Sequence, residues 1–261
     1  MKIPFYKYQG TGNDFVIIDN RSLRLSKNDT KMINHFCDRK FGIGADGLMF
    51  LENADTNNDD FKMVYFNADG NESSMCGNGG RCLVAFARDL NLITTTANFT
   101  AIDGPHHAII DGDQVKLQMK NVSDLKIHEG FTFLNTGSPH HVEIVKDLEN
   151  FDVFANGRKI REGAPYFKEG TNVNFVEQEN PHTFSVRTYE RGVENETLSC
   201  GTGVTAVALA MHAQNKVKST EVTIKTPGGE LVINFEKTEN GYQQVYLTGP
   251  ALQVFKGEIT W

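Results

Sequence analysis

A short motif that begins with Cys-Gly occurs twice in this chain of 261 residues, each time before an apolar run. The first copy is Cys76-Gly-Asn-Gly-Gly-Arg, with LVAFA after the next cysteine, and the second is Cys200-Gly-Thr-Gly-Val-Thr with AVALA. The two cysteines lie 124 residues apart. A repeat at this spacing predicts an internal duplication, and so two similar halves with one motif in each.

Two weaker matches support the duplication at nearly the same spacing. Thr11-Gly-Asn-Asp-Phe-Val resembles Thr136-Gly-Ser-Pro-His-His-Val, and Tyr65-Phe-Asn-Ala-Asp-Gly resembles Tyr189-Glu-Arg-Gly before the second cysteine. Three matches in one order are far less expected by chance than any one alone. The duplication is therefore the frame for the fold prediction.

Local patterns predict mostly strands, with one helix after each repeated cysteine. A further helix is predicted over residues 29–39, capped by Asn28. In both cysteine helices apolar residues fall on every side, which is typical of a helix surrounded by protein. The predicted class is α+β, with two pseudo-symmetric modules that face each other across a cleft, each a curled sheet around a central helix. The strands predicted in each half are residues 3–8, 15–19, 48–52, 61–67, 99–102, 107–111 and 115–119, then 131–135, 141–145, 172–176, 183–189, 221–225, 230–236 and 243–247.

The predicted modules divide near the polar stretch 120–129. We expect an N-terminal module over residues 1–120 and a C-terminal module over residues 121–249. The last strand, residues 250–261, is expected to pair back onto the first module.

Composition removes several classes of function. The formal net charge of −7, with scattered Lys and Arg, argues against a nucleic-acid partner. No apolar stretch is long enough to span a bilayer and no signal peptide is recognisable, so we expect a cytoplasmic protein with no membrane partner. No CxxC pair is present, and the pairs His106-His107 and His140-His141 lack the flanking ligands of a zinc site, so no metal is predicted.

The setting of the repeated cysteines favours acid/base chemistry. Each cysteine is predicted at a helix N-terminus, where free N–H groups and the helix dipole stabilise a thiolate and attract a carboxylate. Two such helices aimed at one carboxylate suit stereoinversion, in which a thiolate removes an α-proton and a thiol returns one on the other face. No pyridoxal phosphate site is evident, so no cofactor is expected. Cys37 and Cys82 are interpreted as buried apolar residues.

Six motifs, in order along the whole chain, make the sequence resemble the diaminopimelate epimerase family. They are GTGNDFV at 10–16, GIGADG at 42–47, NADGNESSMCGNGGRC at 67–82, TGSPHHV at 136–142, GTNVNFV at 170–176 and YERGVENETLSCGTG at 189–203. The resemblance implies that Cys76 and Cys200 are the acid/base thiols, and that diaminopimelate is the substrate. It also implies a homodimer that needs no cofactor.

The resemblance further implies the residues that surround the substrate. Backbone N–H groups would hold the reacting carboxylate, and polar side chains would contact the rest of the molecule, with His140 and Glu190 also supporting catalysis. Arg191 suits the distal carboxylate because its planar fork bonds a carboxylate at two points. The implied binding residues are Gly77, Asn78, Gly201, Thr202, Asn13, Asn67, Asn174, Glu190 and Arg191.

Two positions depart from the family pattern, and two other functions stay open. Ser138 stands where many members carry Asn, and Gly47 where many carry Gln, which affects recognition of the distal end but not the thiols. A proline or hydroxyproline racemase of the same fold is one alternative, although such substrates leave Glu190 and Arg191 without partners. A non-catalytic amino-acid-binding module is the other, and it predicts no special need for the thiols.

Overall fold

The computed structural model describes residues 1–73 and 75–261, and contacts divide the chain into two compact units. Unit 1 comprises Met1–Leu117 and Gly249–Trp261, and unit 2 comprises Gln118–Thr248. Each unit contains α-helices and a mixed β-sheet, which confirms the α+β class. Ser74, within the first cysteine motif, lies outside the described residues. Of the helices described, none is long and apolar enough to cross a membrane.

Unit 1 is a mixed sheet with two helices between its strands. The strands run in the order β17-β1-β2-β3-β4-β5-β6-β7, where the β2/β3 and β4/β5 pairs are parallel and the others antiparallel. Its elements are β1 (Lys2–Gly10), β2 (Asn13–Asp19), α1 (Thr30–Cys37), β3 (Gly47–Glu52), β4 (Phe61–Asn67), α2 (Gly77–Asp89), β5 (Thr96–Ala101), β6 (Gly104–Asp111), β7 (Gln114–Gln118) and β17 (Leu252–Thr260).

Unit 2 repeats this plan. Its strand order is β8-β9-β10-β11-β12-β14-β15-β16, again parallel at the third and fifth pairs, and β13 folds back on β12. Its elements are β8 (Leu125–Ile127), β9 (Phe131–Asn135), β10 (Pro139–Ile144), a 3-10 turn (Leu148–Asn150), α3 (Val153–Glu162), β11 (Asn172–Asn180), β12 (Thr183–Glu190), β13 (Asn195–Thr197), α4 (Gly201–Ala213), β14 (Glu221–Thr226), β15 (Gly229–Thr238) and β16 (Gly241–Pro250).

The shared strand order confirms the pseudo-symmetry predicted from the repeated motif. The helices also lie at matching places along the two units. In unit 1 helix α1 precedes β3 and the cysteine helix α2 precedes β5, and in unit 2 helix α3 precedes β11 and the cysteine helix α4 precedes β14. The last strand, β17, pairs antiparallel with β1, as β8 pairs with β9 in unit 2.

The two cysteine helices lie at the centre of their own sheets. Helix α2 packs against β1, β2, β3, β4, β6 and β17, and α4 packs against β9, β10, β11, β12, β14 and β15. Every α2 residue from Gly77 to Ala87 is buried, and in α4 only Thr202 is partly exposed before Met211. Small side chains in both helices let the surrounding strands approach closely. The prediction of a curled sheet around a central helix is confirmed.

The outer helices differ from the prediction in two respects. The cap predicted at Asn28 is wrong, because Asp29 caps α1 by accepting from the Met32 N–H at 3.0 Å. The helix ends at Cys37 because the backbone of Asp38 is extended. Helix α3 was not predicted at all, although Asp152 caps it in the same way through the Ala155 N–H at 2.9 Å.

Candidate active site

Both repeated cysteines occupy the N-cap position of a central helix. The Cys76 carbonyl accepts the first helical bond of α2 from the Gly80 N–H at 2.7 Å, and the Cys200 carbonyl accepts from the Val204 N–H at 2.9 Å. The N–H groups of the three residues after each cysteine therefore have no acceptor within their helix. Among the described residues, neither cysteine side chain caps its helix, whereas Asp side chains cap α1 and α3. Both helix starts suit an anionic ligand.

In unit 1 an asparagine joins the cysteine to a carboxylate. The Asn13 side-chain amide donates to Asp46 Oδ2 at 2.6 Å, which turns its oxygen toward Cys76. The Cys76 thiol donates to that oxygen at 3.5 Å, and the Asn78 amide donates to it at 3.4 Å. Three of the predicted site residues are thus brought together at the start of α2.

The carboxylate behind Asn13 belongs to a network of four charged side chains. Arg39 donates to Asp46 and Asp14 at 2.7 Å each, and Lys7 lies 2.7 Å from Asp14. Burial opposes the ionisation of Asp14, but the bonds from Arg39 and Lys7 outweigh it and lower the pKa of Asp14 to about 2. Asp14 therefore remains ionised at neutral pH, and the bonds among these side chains hold Asn13 in one orientation.

Gly47 and Asn67 form a directly opposed pair on β3 and β4. A Cβ on Gly47 would lie 2.6 Å from the Phe66 carbonyl oxygen and 2.9 Å from the Tyr65 hydroxyl oxygen, so no side chain fits there. Tyr65 lies two residues before Asn67 and shares its face of the sheet. The aromatic ring of Tyr65 thus occupies the space that a longer residue at position 47 would need. Tyr65 was not predicted as a site residue, although its alternation with Asn67 was a usable signal.

In unit 2 a chain of polar groups leads from a histidine to the cysteine. Cys200 Sγ lies 3.5 Å from Thr202 Oγ1, which lies 2.9 Å from His140 Nε2. The Thr136 hydroxyl donates to the Thr202 carbonyl oxygen at 2.8 Å and holds the start of α4 against β9 and β10. Four predicted residues, Cys200, Gly201, Thr202 and His140, are therefore close together.

Asn174 sets the protonation of His140. Its amide group donates to His140 Nδ1 at 3.1 Å and to the His141 carbonyl oxygen at 2.9 Å, and its oxygen accepts from Thr188. Because Nδ1 accepts, the ring proton lies on Nε2 and is donated to Thr202, whose own hydroxyl proton can then reach the sulfur. Burial, with a further contribution from Arg191, lowers the pKa of His140 to about 3. His140 is therefore neutral at physiological pH.

His141 points away from this chain, as expected for neighbours on a strand. Its Nδ1 lies 2.9 Å from the Tyr166 hydroxyl, and its ring stacks on Phe131. Only the first member of the histidine pair can act at the cysteine.

Glu190 and Arg191 lie where β12 ends. Glu190 accepts from the Thr197 hydroxyl at 2.9 Å, and the Arg191 guanidinium, which is exposed, donates to the Glu169 carbonyl oxygen at 3.1 Å. The Asn172 oxygen accepts from the Arg191 N–H at 2.9 Å, and the Asn172 amide donates to Ser138 Oγ at 2.9 Å. Asn172, which was not predicted as a site residue either, therefore connects the Arg191 backbone with Ser138, the residue that departs from the family pattern.

The other two cysteines are unsuited to acid/base chemistry. Cys37 and Cys82 are both buried, and burial raises the pKa of each thiol to about 12. Neither thiol ionises near neutral pH, so neither can serve as a base.

Comparison with known sequences gives a consistent result over the whole chain. A family model described as diaminopimelate epimerase matches residues 5–124 and 132–254. A diaminopimelate epimerase from Flavobacterium psychrophilum is 56% identical over 258 residues, which cover 98% of this chain and 100% of that protein. Another, from Chlorobaculum tepidum, is 42% identical over 260 residues, covering 96% and 99% of the two chains.

Solved structures with the same fold are more distant in sequence. A phenazine biosynthesis protein of the PhzF family from Bacillus anthracis has a TM-score of 0.78 at 16% identity, and each chain covers 100% of the other. A hydroxyproline epimerase from Agrobacterium vitis has a TM-score of 0.70 at 14% identity, covering 99% of this chain and 91% of that one. At this identity the comparison establishes the fold alone.

Proposed function

This chain belongs to the diaminopimelate epimerase family, and we propose that it interconverts LL- and meso-2,6-diaminopimelate by a two-thiol proton transfer at one α-carbon. It is an isomerase of the racemase and epimerase class. The observation that carries the mechanism is that Cys76 and Cys200 both occupy the N-cap of a buried central helix in topologically equivalent units.

In the proposed reaction one cysteine is a thiolate and the other a thiol. The thiolate takes the α-hydrogen as a proton, so a C–H bond breaks, an S–H bond forms and the electron pair spreads into the carboxylate. The thiol then gives its proton to the opposite face of the carbon and becomes the thiolate. The two sulfurs exchange roles, which lets the same site run the reaction in both directions.

The carbanion needs stabilisation that no cofactor supplies in this proposal. We assign the reacting carboxylate to the N–H groups of Gly77, Asn78, Gly201 and Thr202. There the positive ends of two helix dipoles stabilise the negative charge that develops in the transition state. These N–H groups are oriented before the substrate binds, so little reorganisation is needed in the transition state.

Neutral polar groups tune the two thiols differently. His140 and Thr202 form a donor chain that supports a thiolate at Cys200, and Asn174 acts by fixing the ring of His140. At Cys76 the Asn13 oxygen accepts from the thiol. The groups that hydrogen-bond the two sulfurs are uncharged in both units.

The distal amino-acid group of the substrate is assigned to the polar side chains around the helix starts. Arg191 is the partner for the distal carboxylate, Glu190 for an ammonium group, and Asn13 and Asn67 supply neutral hydrogen bonds. This assignment favours diaminopimelate over a cyclic amino acid such as proline, which offers nothing to either charged residue.

Hydrogen exchange tests the function directly. Purified protein and LL-diaminopimelate are incubated in deuterated water without added cofactor, and the product is followed by NMR and chiral chromatography. We expect meso-diaminopimelate with deuterium at the inverted carbon, because the returning proton comes from a solvent-exchanged thiol. A folded protein that produces neither inversion nor exchange contradicts the proposed function.

We further propose that the protein is a cytoplasmic homodimer. Strand β17 exposes apolar side chains, with Val254 56% and Leu252 38% exposed. Exposed apolar surface of this kind often forms the interface with a second copy of the same chain. We expect sedimentation equilibrium to give twice the chain mass, and Val254→Glu to give a monomer. Ile102→Glu, at an exposed apolar position outside β17, makes the same change of charge; it serves as the matched control and should leave the dimer intact.

A further inference from the structure

Arg81 is a guanidinium group with no exposure to solvent, in the first half of α2. Its Nη1 and Nη2 atoms make long bonds of 3.4 Å to the Gly77 carbonyl oxygen and the Thr11 hydroxyl, and its Nε has no acceptor among the residues that the structure describes. Arginine stays protonated in proteins, so a full positive charge lies in a dry site with weak hydrogen bonding. Burying an uncompensated charge costs free energy of folding, which suggests that Arg81 has a functional role.

Among residues 1–73 and 75–261, no carboxylate acts on this charge. In the part of the chain that the structure describes, Cys82 and Cys76 are the ionisable groups whose field acts on Arg81. Burial raises the pKa of Cys82 to about 12, which keeps that thiol neutral. Cys76 is therefore the group that can supply a compensating negative charge, and it does so only as a thiolate.

The four charged side chains behind Asn13 are balanced among themselves. Lys7 and Arg39 bond the carboxylates of Asp14 and Asp46, so this cluster contributes no net charge. At the far end of the helix Arg88 pairs with Asp89.

An uncharged amide group bonds the thiol directly. Asn13 accepts from the Cys76 thiol at 3.5 Å and so favours the protonated form, but a full charge in a dry site outweighs one long bond.

The position of the guanidinium suits action on Cys76. Helical side chains lean toward the helix start, and the bond to Gly77 places Nη1 at the residue that follows the cysteine. A Cβ on Gly10 would lie 3.2 Å from Nη2, so the glycine at the end of β1 leaves room for the guanidinium.

The pseudo-symmetric position in unit 2 carries no charge. Five residues after Cys200 lies Thr205, also fully buried, whose hydroxyl donates to the Gly201 carbonyl oxygen at 2.9 Å. The two helices thus share a bond to the residue after the cysteine, but only α2 has a cation there. The charge is a feature of one half and not of the common fold.

We propose that Arg81 is a positioning residue whose buried charge stabilises the thiolate of Cys76 and offsets the preference of Asn13 for the thiol. The inference rests on the proposed two-thiol function. The hydrogen bonds of unit 2 favour a thiolate at Cys200, whereas those of unit 1 favour a thiol at Cys76. The charge of Arg81 offsets this difference, so that each cysteine can be either thiol or thiolate. Without Arg81 the negative charge would stay on Cys200.

The first test measures the thiols without any substrate. Alkylation by iodoacetamide is followed at each cysteine by peptide mapping as a function of pH, in the unmodified chain, Arg81→Met, Arg81→Lys and Thr205→Val. We expect the midpoint for Cys76 to rise by about one unit or more in Arg81→Met, which is the usual effect of losing an opposite charge. Arg81→Lys should restore most of the shift, and Thr205→Val should not move the Cys76 midpoint.

Kinetics give the matching readout. In Arg81→Met we expect kcat/KM for diaminopimelate at pH 7 to fall about tenfold in both directions, as the same shift in thiolate population requires, and to recover as pH rises. A folded Arg81→Met protein whose Cys76 midpoint is unchanged overturns the proposal. If the unmodified chain does not epimerise diaminopimelate but the midpoint still moves, the proposed function fails and the role of Arg81 survives.

A measurement on the native side chain covers the case in which Arg81→Met does not fold. Nitrogen-15 NMR of labelled arginine follows the Arg81 resonance, assigned with Arg81→Lys, as Cys76 titrates. We expect a shift at the alkylation midpoint of Cys76 that disappears in Cys76→Ser. A resonance that does not respond to Cys76 would show that the two groups are not coupled, and the proposal would be wrong.

Discussion

Replacing either Cys76 or Cys200 with alanine is expected to lower kcat for diaminopimelate at least about 10³-fold, because each thiol supplies a proton transfer that water cannot replace. In the part of the chain that the structure describes, neither side chain caps its helix, so alanine should leave α2 and α4 in place. Serine should restore only slight activity, since a hydroxyl is a far weaker base near neutral pH. The measurement is the rate of meso-diaminopimelate formation, with circular dichroism as the check on folding.

The other two cysteines provide matched controls. Cys37→Ala and Cys82→Ala remove buried thiols that do not ionise near neutral pH, so most of the activity should remain. Deuterium exchange gives a further result. If an alanine variant still exchanges the α-hydrogen of one epimer with deuterated water, that epimer is the one whose α-hydrogen faces the remaining thiol. Near-normal inversion by Cys76→Ala or Cys200→Ala would exclude the two-base mechanism.

Lysine is expected to be turned over at least about 10³-fold less efficiently than diaminopimelate, as kcat/KM. A site built to bond a polar group strongly rejects the analogue that lacks it, because its own polar groups then remain unsatisfied. Lysine keeps both amino groups and loses only the distal carboxylate, so the comparison isolates the partner assigned to Arg191. Racemisation of L-lysine and L-proline is measured beside epimerisation of diaminopimelate under the same conditions.

Arginine variants separate this recognition from general effects of charge. Arg191→Lys should lower kcat/KM for diaminopimelate while leaving the low rate with lysine unchanged, since an ammonium group cannot replace the planar fork. Arg158→Lys is the matched control, because Arg158 forms an exposed pair with Glu162 on the outer helix α3. Efficient racemisation of lysine or proline by the unmodified chain would count against the diaminopimelate assignment.

Much of the architecture was predictable because duplication leaves a trace in local sequence. The two cysteine motifs lie at the same place in both units, and alternating apolar residues indicated nearly every strand of the two sheets. The central position of the two helices followed from apolar residues on all sides. Both features are local patterns in the sequence, and a helix with apolar residues on every side is stable only when protein surrounds it.

The cap of α1 was predicted one residue too early because two neighbouring polar residues can both serve as the N-cap. Asn28 and Asp29 are both good N-caps, and only the backbone of the preceding turn decides between them: the Asn28 N–H donates to Ser26 Oγ, while the Asp29 carboxylate turns into the helix. Helix α3 was missed because its residues are largely polar and its buried side consists of little more than Val153 and Gly157.

The sequence by itself determined the fold class, the duplicated plan and the place of the two cysteine motifs in it, since each of these follows from local order and spacing. The tertiary structure alone decided which of the polar residues are buried and what they meet there. His140 and Arg81 show the difference, because burial makes the first neutral and leaves the second with a charge opposite no carboxylate among the described residues. Desolvation depends on strands far apart in the chain, and that is why a local pattern does not contain it.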